Sequence, residues 1–184
     1  MTTSGAQTTT VAGEHRPAVR WARDRDELGR TAAAEIAATI IGLLERQSEV
    51  RIIFACAPSQ ATTMAALAAA PGIDWSRVVA FHMDEYIGLA ADAPQLFSTW
   101  LKEVLLDRVP VGKAHLLLPS DDPEADCGAY GRLLAEAPID IACLGIGVNG
   151  HIAFNDPPAD FSDPSAVKVV ELSPESRRQQ VDDG

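Results

Sequence analysis

Three short stretches carry residue types that could do chemistry, and each follows an apolar run. The most informative reads Gly145-Ile146-Gly147-Val148-Asn149-Gly150-His151-Ile152-Ala153-Phe154-Asn155-Asp156-Pro157-Pro158. Its glycines permit positive φ and close approach of backbone to a ligand. His151 stands with Asn149 two residues before it and Asp156 five after. An imidazole oriented by an amide or a carboxylate can shuttle protons near neutral pH. The spacing Gly145-x-Gly147-x-x-Gly150 matches a dinucleotide fingerprint, but the residues after it do not read as the helix that motif requires. A structural glycine loop around a satisfied histidine is the plainer alternative.

The second stretch, Phe81-His82-Met83-Asp84-Glu85-Tyr86-Ile87-Gly88-Leu89, sets two adjacent carboxylates where an apolar strand gives way to loop. Strand alternation sends Asp84 and Glu85 to opposite sides, so at most one faces a given ligand. A carboxylate beside a substrate carbon can act as a general base. A solvated strand exit or a cap for the next element explains the pair equally well. His82-x-Asp84 as a metal site would need further ligands. The third stretch, Ser59-Gln60, is a strand-to-helix turn where Ser reads as an N-cap and free N–H groups could meet an anion. Taken alone it is a helix cap, since no glycine-rich phosphate cradle accompanies it.

The elements that must position these residues follow from periodicity. Leu28, Ala32, Ile36, Ile40 and Leu43 or Leu44 mark one face of a helix over 26–45. Short β-branched runs predict strands at 50–56, 78–83, 115–118 and 139–144. Helices are predicted at 61–70, 96–109 and 123–135, and Ser173-Pro174-Glu175 opens another. Strands alternating with helices imply βαβ units. The expected fold is therefore α/β, a Rossmann-like, doubly wound, mostly parallel sheet with helices on both faces. Ligands in such sheets sit at the carboxyl ends of the strands, which is where all three stretches fall.

A length of 184 residues fits one domain, and 47% hydrophobic with 22% charged residues is an ordinary globular balance. Residues 1–13, rich in Thr and Gly, read as a flexible tail, with one domain over 14–184. The net charge of −11, without a basic run, argues against nucleic acid and against anionic membrane surfaces. No stretch suits a bilayer span or a signal peptide. The three cysteines, Cys56, Cys127 and Cys143, lack zinc-site spacing and read as reduced thiols of a cytoplasmic protein. No metal and no cofactor is called for.

Taken together, these stretches resemble the glucosamine-6-phosphate deaminase/isomerase family, which also groups with 6-phosphogluconolactonases. The resemblance runs over roughly residues 21–172. It is carried by Met83-Asp84-Glu85-Tyr86-x-Gly88-Leu89 and by Gly145-x-Gly147-x-Asn149-Gly150-His151-Ile152-Ala153-Phe154-Asn155. The lactonase branch tends to have Asp-Glu-Arg and Gly-His-Thr-Ala at these places, where this chain has Tyr86 and Ile152. The resemblance thus implies an aldose–ketose isomerisation coupled to loss of ammonia from an amino-sugar phosphate, a small-molecule substrate. Asp84 matches the base that moves the C2 proton to C1. His151 matches the ring opener, supported by Asn149 and Asp156. Ser59, Gln60, Glu85, Gly147, Gly150 and Arg177 are the expected substrate-binding positions. Members include monomers and ring-like oligomers, so a homo-oligomer stays open.

The departures from the family pattern are specific. Asn149 stands for a common Asp, Asp156 for a usual Glu, and Ala57-Pro58-Ser59-Gln60 for Thr-Gly-Gly or Thr-Gly-Ser. An Asn supplies no counter-charge, so His151 must lean on Asp156. These changes point to a divergent branch whose substrate need not be glucosamine 6-phosphate itself. Arg177 and Arg178 are the nearby candidates for a phosphate-gripping Arg. The family's later Lys, with a further strand and helix, has no counterpart before Gly184, so the chain is expected to be C-terminally incomplete. The sequence is also compatible with two other functions: sugar-phosphate lactone hydrolysis with His151 activating water, and non-catalytic sugar-phosphate binding.

Overall fold

The computed structural model describes residues 18–182, so the expected tail over 1–13 lies outside the described residues. A helix, α1 (Arg25–Leu44), leads into strand β1 (Val50–Phe54). Asp24 caps α1 by accepting the Glu27 amide, with Asp26 and Glu27 in the first turn, the favourable end for negative charge. A 3-10 turn, Pro58–Gln60, precedes α2 (Ala61–Ala68), and β2 (Val78–His82) follows. Then come α3 (Phe97–Leu101), which runs on into a π turn (Lys102–Leu106), and β3 (Lys113–His115). The chain continues through α4 (Pro123–Ala135) and β4 (Ile141–Cys143) to α5 (Pro174–Asp182).

The four strands pair in the order β3-β2-β1-β4, all parallel. Alternation along the strands divides the core. Val50, Ile52 and Phe54 of β1, with Val78 and Ala80 of β2, pack against Ala33, Ile40, Met64, Leu67, Leu101 and Leu105 of α1, α2, α3 and the π turn. Ile53, Val79 and Phe81 turn to the other face and meet Tyr130, Leu133 and Leu134 of α4. Helices thus cover both faces, as expected. The chain moves outward from β1 to β2 and β3, then returns to place β4 on the other side of β1. That reversal opens a crevice at the carboxyl ends of β1 and β4.

One charged residue sits inside this arrangement. Arg51 is buried on the α4 face, with its guanidinium 4.8 Å from the centre of the Phe81 ring. It donates to the carbonyls of Leu133 and Leu134 in the last turn of α4 and of Ala137 just after it. A buried cation is tolerable here because carbonyl oxygens replace its water.

Two expectations are corrected. The strand predicted at 115–118 lies earlier, at Lys113–His115. Its pairing with β2 ends at Phe81 opposite His115, and the Leu117 amide then donates to the His82 ring at 3.0 Å instead of to a strand. The helix predicted over 96–109 is α-helical only to Leu101 before it widens into the π turn. Among the described residues, no helix is long and apolar enough to cross a membrane. Cys56, Cys127 and Cys143 are free and buried, and burial pushes the Cys143 thiol up to about 11.

Candidate active site

The site is built where β1, β2 and β4 end. The Met83 amide continues the ladder by donating to Phe54 O at 3.0 Å, which delivers Asp84 to the mouth of the crevice. Asp84 lines two adjoining cavities, a larger one of about 560 Å³ and a smaller one of about 90 Å³. Burial pushes its carboxyl up to about 6. The His82 and His151 rings oppose that rise, and the Glu85 charge adds to it. The group is thus ionised at neutral pH yet basic enough to take a proton, the balance a general base needs.

Glu85 does something else. Its side chain has no exposed surface, and its oxygens accept the amides of Tyr86 (2.9 Å), Phe97 (3.0 Å) and Ser98 (2.8 Å). Burial alone would raise its carboxyl, but His82 and the Ser98 and Tyr86 donors outweigh that and hold it low. Glu85 therefore caps α3; it borders the larger cavity, but both of its carboxylate oxygens are engaged by amides. His82, fully buried, faces Glu85 with Nε2 at 3.4 Å while Nδ1 accepts the Leu117 amide. Both ring nitrogens are thereby turned inward, away from the ligand role considered from sequence.

His151 enters from the loop after β4 and lines the smaller cavity together with Asp84. Gly150 adopts φ +88° and donates to Gly147 O, and Gly147 donates to His151 O, closing a tight loop. A Cβ on Gly147 would land on the imidazole itself, so only glycine lets the ring lie there. Ala153, two residues on, sits at φ 52°, an uncommon position for a residue with a side chain.

The His151 ring is held from one side. Nδ1 faces Asn149 Oδ1 at 2.8 Å and Asp156 Oδ1 at 3.2 Å. Asn149 also donates from Nδ2 to Asp156 at 2.8 Å. Burial works against the Asp156 charge, but hydrogen bonds from Asn149, Ser176 and Ser173 hold its carboxyl well below the usual range. An ionised, acceptor-only carboxylate beside an amide oxygen assigns the proton to Nδ1 and leaves Nε2 to exchange protons.

The binding side is less assembled. Ser59 is exposed on the smaller cavity, within the 3-10 turn, and Ala57 rather than Ser59 occupies the cap position. No side chain caps α2 either, and Gln60 Nε2 is buried without an acceptor beside Gly145. Arg177 lines the larger cavity instead, where it pairs with Glu171 at 2.7 Å and donates to Leu172 O. The structure therefore brings Asp84, His151, Asn149, Asp156, Gly147 and Gly150 together, with Ser59 at the smaller cavity, while Arg177 shares only the larger cavity with Asp84. Sequence reasoning missed Ser176, which touches both His151 and Asp156. Ser173 reads from sequence as a helix cap, and its amide also donates to Asp156 Oδ2 at 2.7 Å. Twenty-five residues separate Ser176 from His151, and no local motif links them.

Known proteins match this chain in sequence and in fold. A model of the family described as glucosamine-6-phosphate isomerases/6-phosphogluconolactonase covers residues 23–181. A glucosamine-6-phosphate deaminase of Staphylococcus epidermidis is 44% identical over 105 residues, 54% of this chain and 42% of that protein. One from Lactobacillus delbrueckii subsp. bulgaricus is 32% identical over 148 residues, 76% of this chain and 57% of the relative. The chain thus spans about half the length of these curated relatives. A solved glucosamine-6-phosphate deaminase, described as monomeric, superposes with a TM-score of 0.77 at 25% identity, covering 86% of this chain and 66% of that one. A 6-phosphogluconolactonase from Thermotoga maritima follows at TM-score 0.61 and 25% identity, covering 75% and 68%. A match running through nearly all the described residues, on a fold these proteins share, leads to one conclusion: the chain belongs to the family of glucosamine-6-phosphate isomerases and 6-phosphogluconolactonases.

Proposed function

We propose that this protein is a cytoplasmic amino-sugar-phosphate deaminase/isomerase, converting glucosamine 6-phosphate or a close analogue, with water, into fructose 6-phosphate and ammonia. The observation that carries this reading is a pair on one cavity: Asp84, pushed up to about 6, beside His151 with its Nδ1 held by acceptors. His151 passes a proton to the ring oxygen as the sugar opens. Asp84 removes the proton from C2, giving an enolamine, and returns it to C1. Water then adds at C2 and ammonia leaves. Each step needs a proton moved over a short path near neutral pH, which these two groups suit.

Ser59 and the uncapped start of α2 supply donors for the phosphate. Arg177 contributes once it leaves Glu171. Curated relatives named as deaminases support the reading, and Tyr86 and Ile152 favour it over lactone hydrolysis. The test is an assay of one preparation against glucosamine 6-phosphate and 6-phosphogluconolactone. Ammonia release that disappears in Asp84→Asn supports the proposal. Lactone hydrolysis without ammonia release reverses it, and binding without turnover of either substrate leaves a sugar-phosphate-binding protein.

A further inference from the structure

Ser176 has no exposed surface and lies in the first turn of α5, three residues after the cap residue Ser173. Its hydroxyl carries one proton and meets two groups of interest. Asp156 Oδ1 is 2.5 Å away and His151 Nδ1 is 3.0 Å away. The ionised carboxylate can only accept, so the hydroxyl proton goes to Asp156 and the oxygen lone pairs face Nδ1. The ring N–H then finds three acceptors on one side: Asn149 Oδ1, Ser176 Oγ and Asp156 Oδ1.

The rest of the α5 start is tied to the same carboxylate. The Ser173 amide donates to Asp156 Oδ2, and Ser173 Oγ accepts the Ser176 amide at 3.2 Å. Farther along α5, Gln179 accepts the Val148 amide of the glycine loop at 3.2 Å. The hydroxyl has no accessible surface, so the bridge between Asp156 and His151 is made by the side chain itself.

We infer that Ser176 is a positioning residue for the site, bridging Asp156 and His151 so that the imidazole stays fixed with its other nitrogen free for the substrate. The inference rests on the acid–base role proposed for His151, and it makes α5 part of the site rather than a neighbour of it. Because Arg177 is the next residue, the turn that fixes the histidine also carries the guanidinium facing the larger cavity.

The experiment compares Ser176→Ala and Ser176→Thr with the unmodified chain. Carbon-detected NMR titration of the Asp156 carboxyl needs no substrate. Loss of the hydroxyl donor moves its midpoint upward in the Ala variant, and the Thr variant restores it. With glucosamine 6-phosphate, kcat of the Ala variant falls about fivefold to tenfold, the worth of roughly one hydrogen bond, while KM stays within about twofold. Thr recovers most of the rate. An Asp156 titration unchanged in Ser176→Ala overturns the inference. So does a loss of kcat that Thr fails to rescue while KM and melting temperature worsen together. If Ser176→Ala does not fold, Ser176→Cys, a weaker donor of similar size, carries the same expectation. Absence of ammonia release from the unmodified chain counts against the proposed function, and the titration still decides the role of Ser176.

Discussion

Burial and charge set the work each carboxyl can do. Asp84 lies deep enough to be pushed up to about 6, whereas Asp156, ringed by donors, is held far lower. A base with that value gives a rate that falls as pH drops through about 6, because protonation removes the lone pair that takes the C2 proton. A pH–rate profile of kcat/KM, which reports the free protein, checks this, and an acid limb near 4 would remove Asp84 from the role. The same shift has a stability consequence of opposite sense. The folded chain holds the Asp84 proton more tightly than the unfolded chain does between about 4 and 6, so stability declines as pH rises through that window. Asp84→Asn is therefore expected to abolish turnover and raise stability at pH 7 by about 1–3 kcal/mol. Urea denaturation of both proteins reads the second effect. At Gly147, where a Cβ would meet the imidazole, Gly147→Ala should cost at least about tenfold in kcat, since the ring must move.

At the scale of elements, the loop after β2 is anchored by Glu85 at the start of α3 and by His82 beneath it. The capping carboxylate satisfies amides that the helix itself leaves unpaired. Removing it in Glu85→Ala is expected to destabilise the chain by about 1–3 kcal/mol, with His82 left facing an empty space. Glu85→Gln keeps one acceptor oxygen and should cost less. Chemical denaturation of the two variants ranks them, and equal stability of Ala and wild type would show that the cap is not needed. The extents of α1 and α4 were legible: the helix expected over 26–45 from its apolar periodicity lies at Arg25–Leu44, and the one expected over 123–135 lies there, with Asp24 and Asp122 found as the caps. The register of β3 was not. Leu116, Leu117 and Leu118 look like strand, but a histidine ring claims the Leu117 amide.

Across the molecule, the charge of −11 opposes the proposed ligand, a sugar phosphate that is itself an anion. Among the described residues, Lys168 and Arg177 are the lysine and arginine lining the two cavities, and each is already paired, with Asp163 at 2.6 Å and Glu171 at 2.7 Å. Both carboxylates are competitors for an incoming phosphate. The Arg177–Glu171 pair is exposed, so separating it costs only about 0.2–1 kcal/mol. Glu171→Gln is accordingly expected to tighten sugar-phosphate binding up to about fivefold, with the gain shrinking as salt rises. Calorimetry at two ionic strengths checks it, and weaker binding in the variant would place the phosphate away from Arg177.

The amino-acid sequence alone determined the alternation of strands and helices and the positions of Asp84 and His151 at strand ends. Those depend on local periodicity, glycine content and short-range spacing. Asn149 and Asp156 were also legible as partners of His151, because a loop of seven or fewer residues can fold back on itself. Only the tertiary structure decided that Glu85 turns inward, that Arg177 faces a different cavity from Ser59, and that Ser176 closes the histidine's hydrogen bonds. The physical reason is common to the three. Each depends on which helix packs over which strand end, and burial removes the water that would otherwise satisfy those polar groups wherever the chain left them.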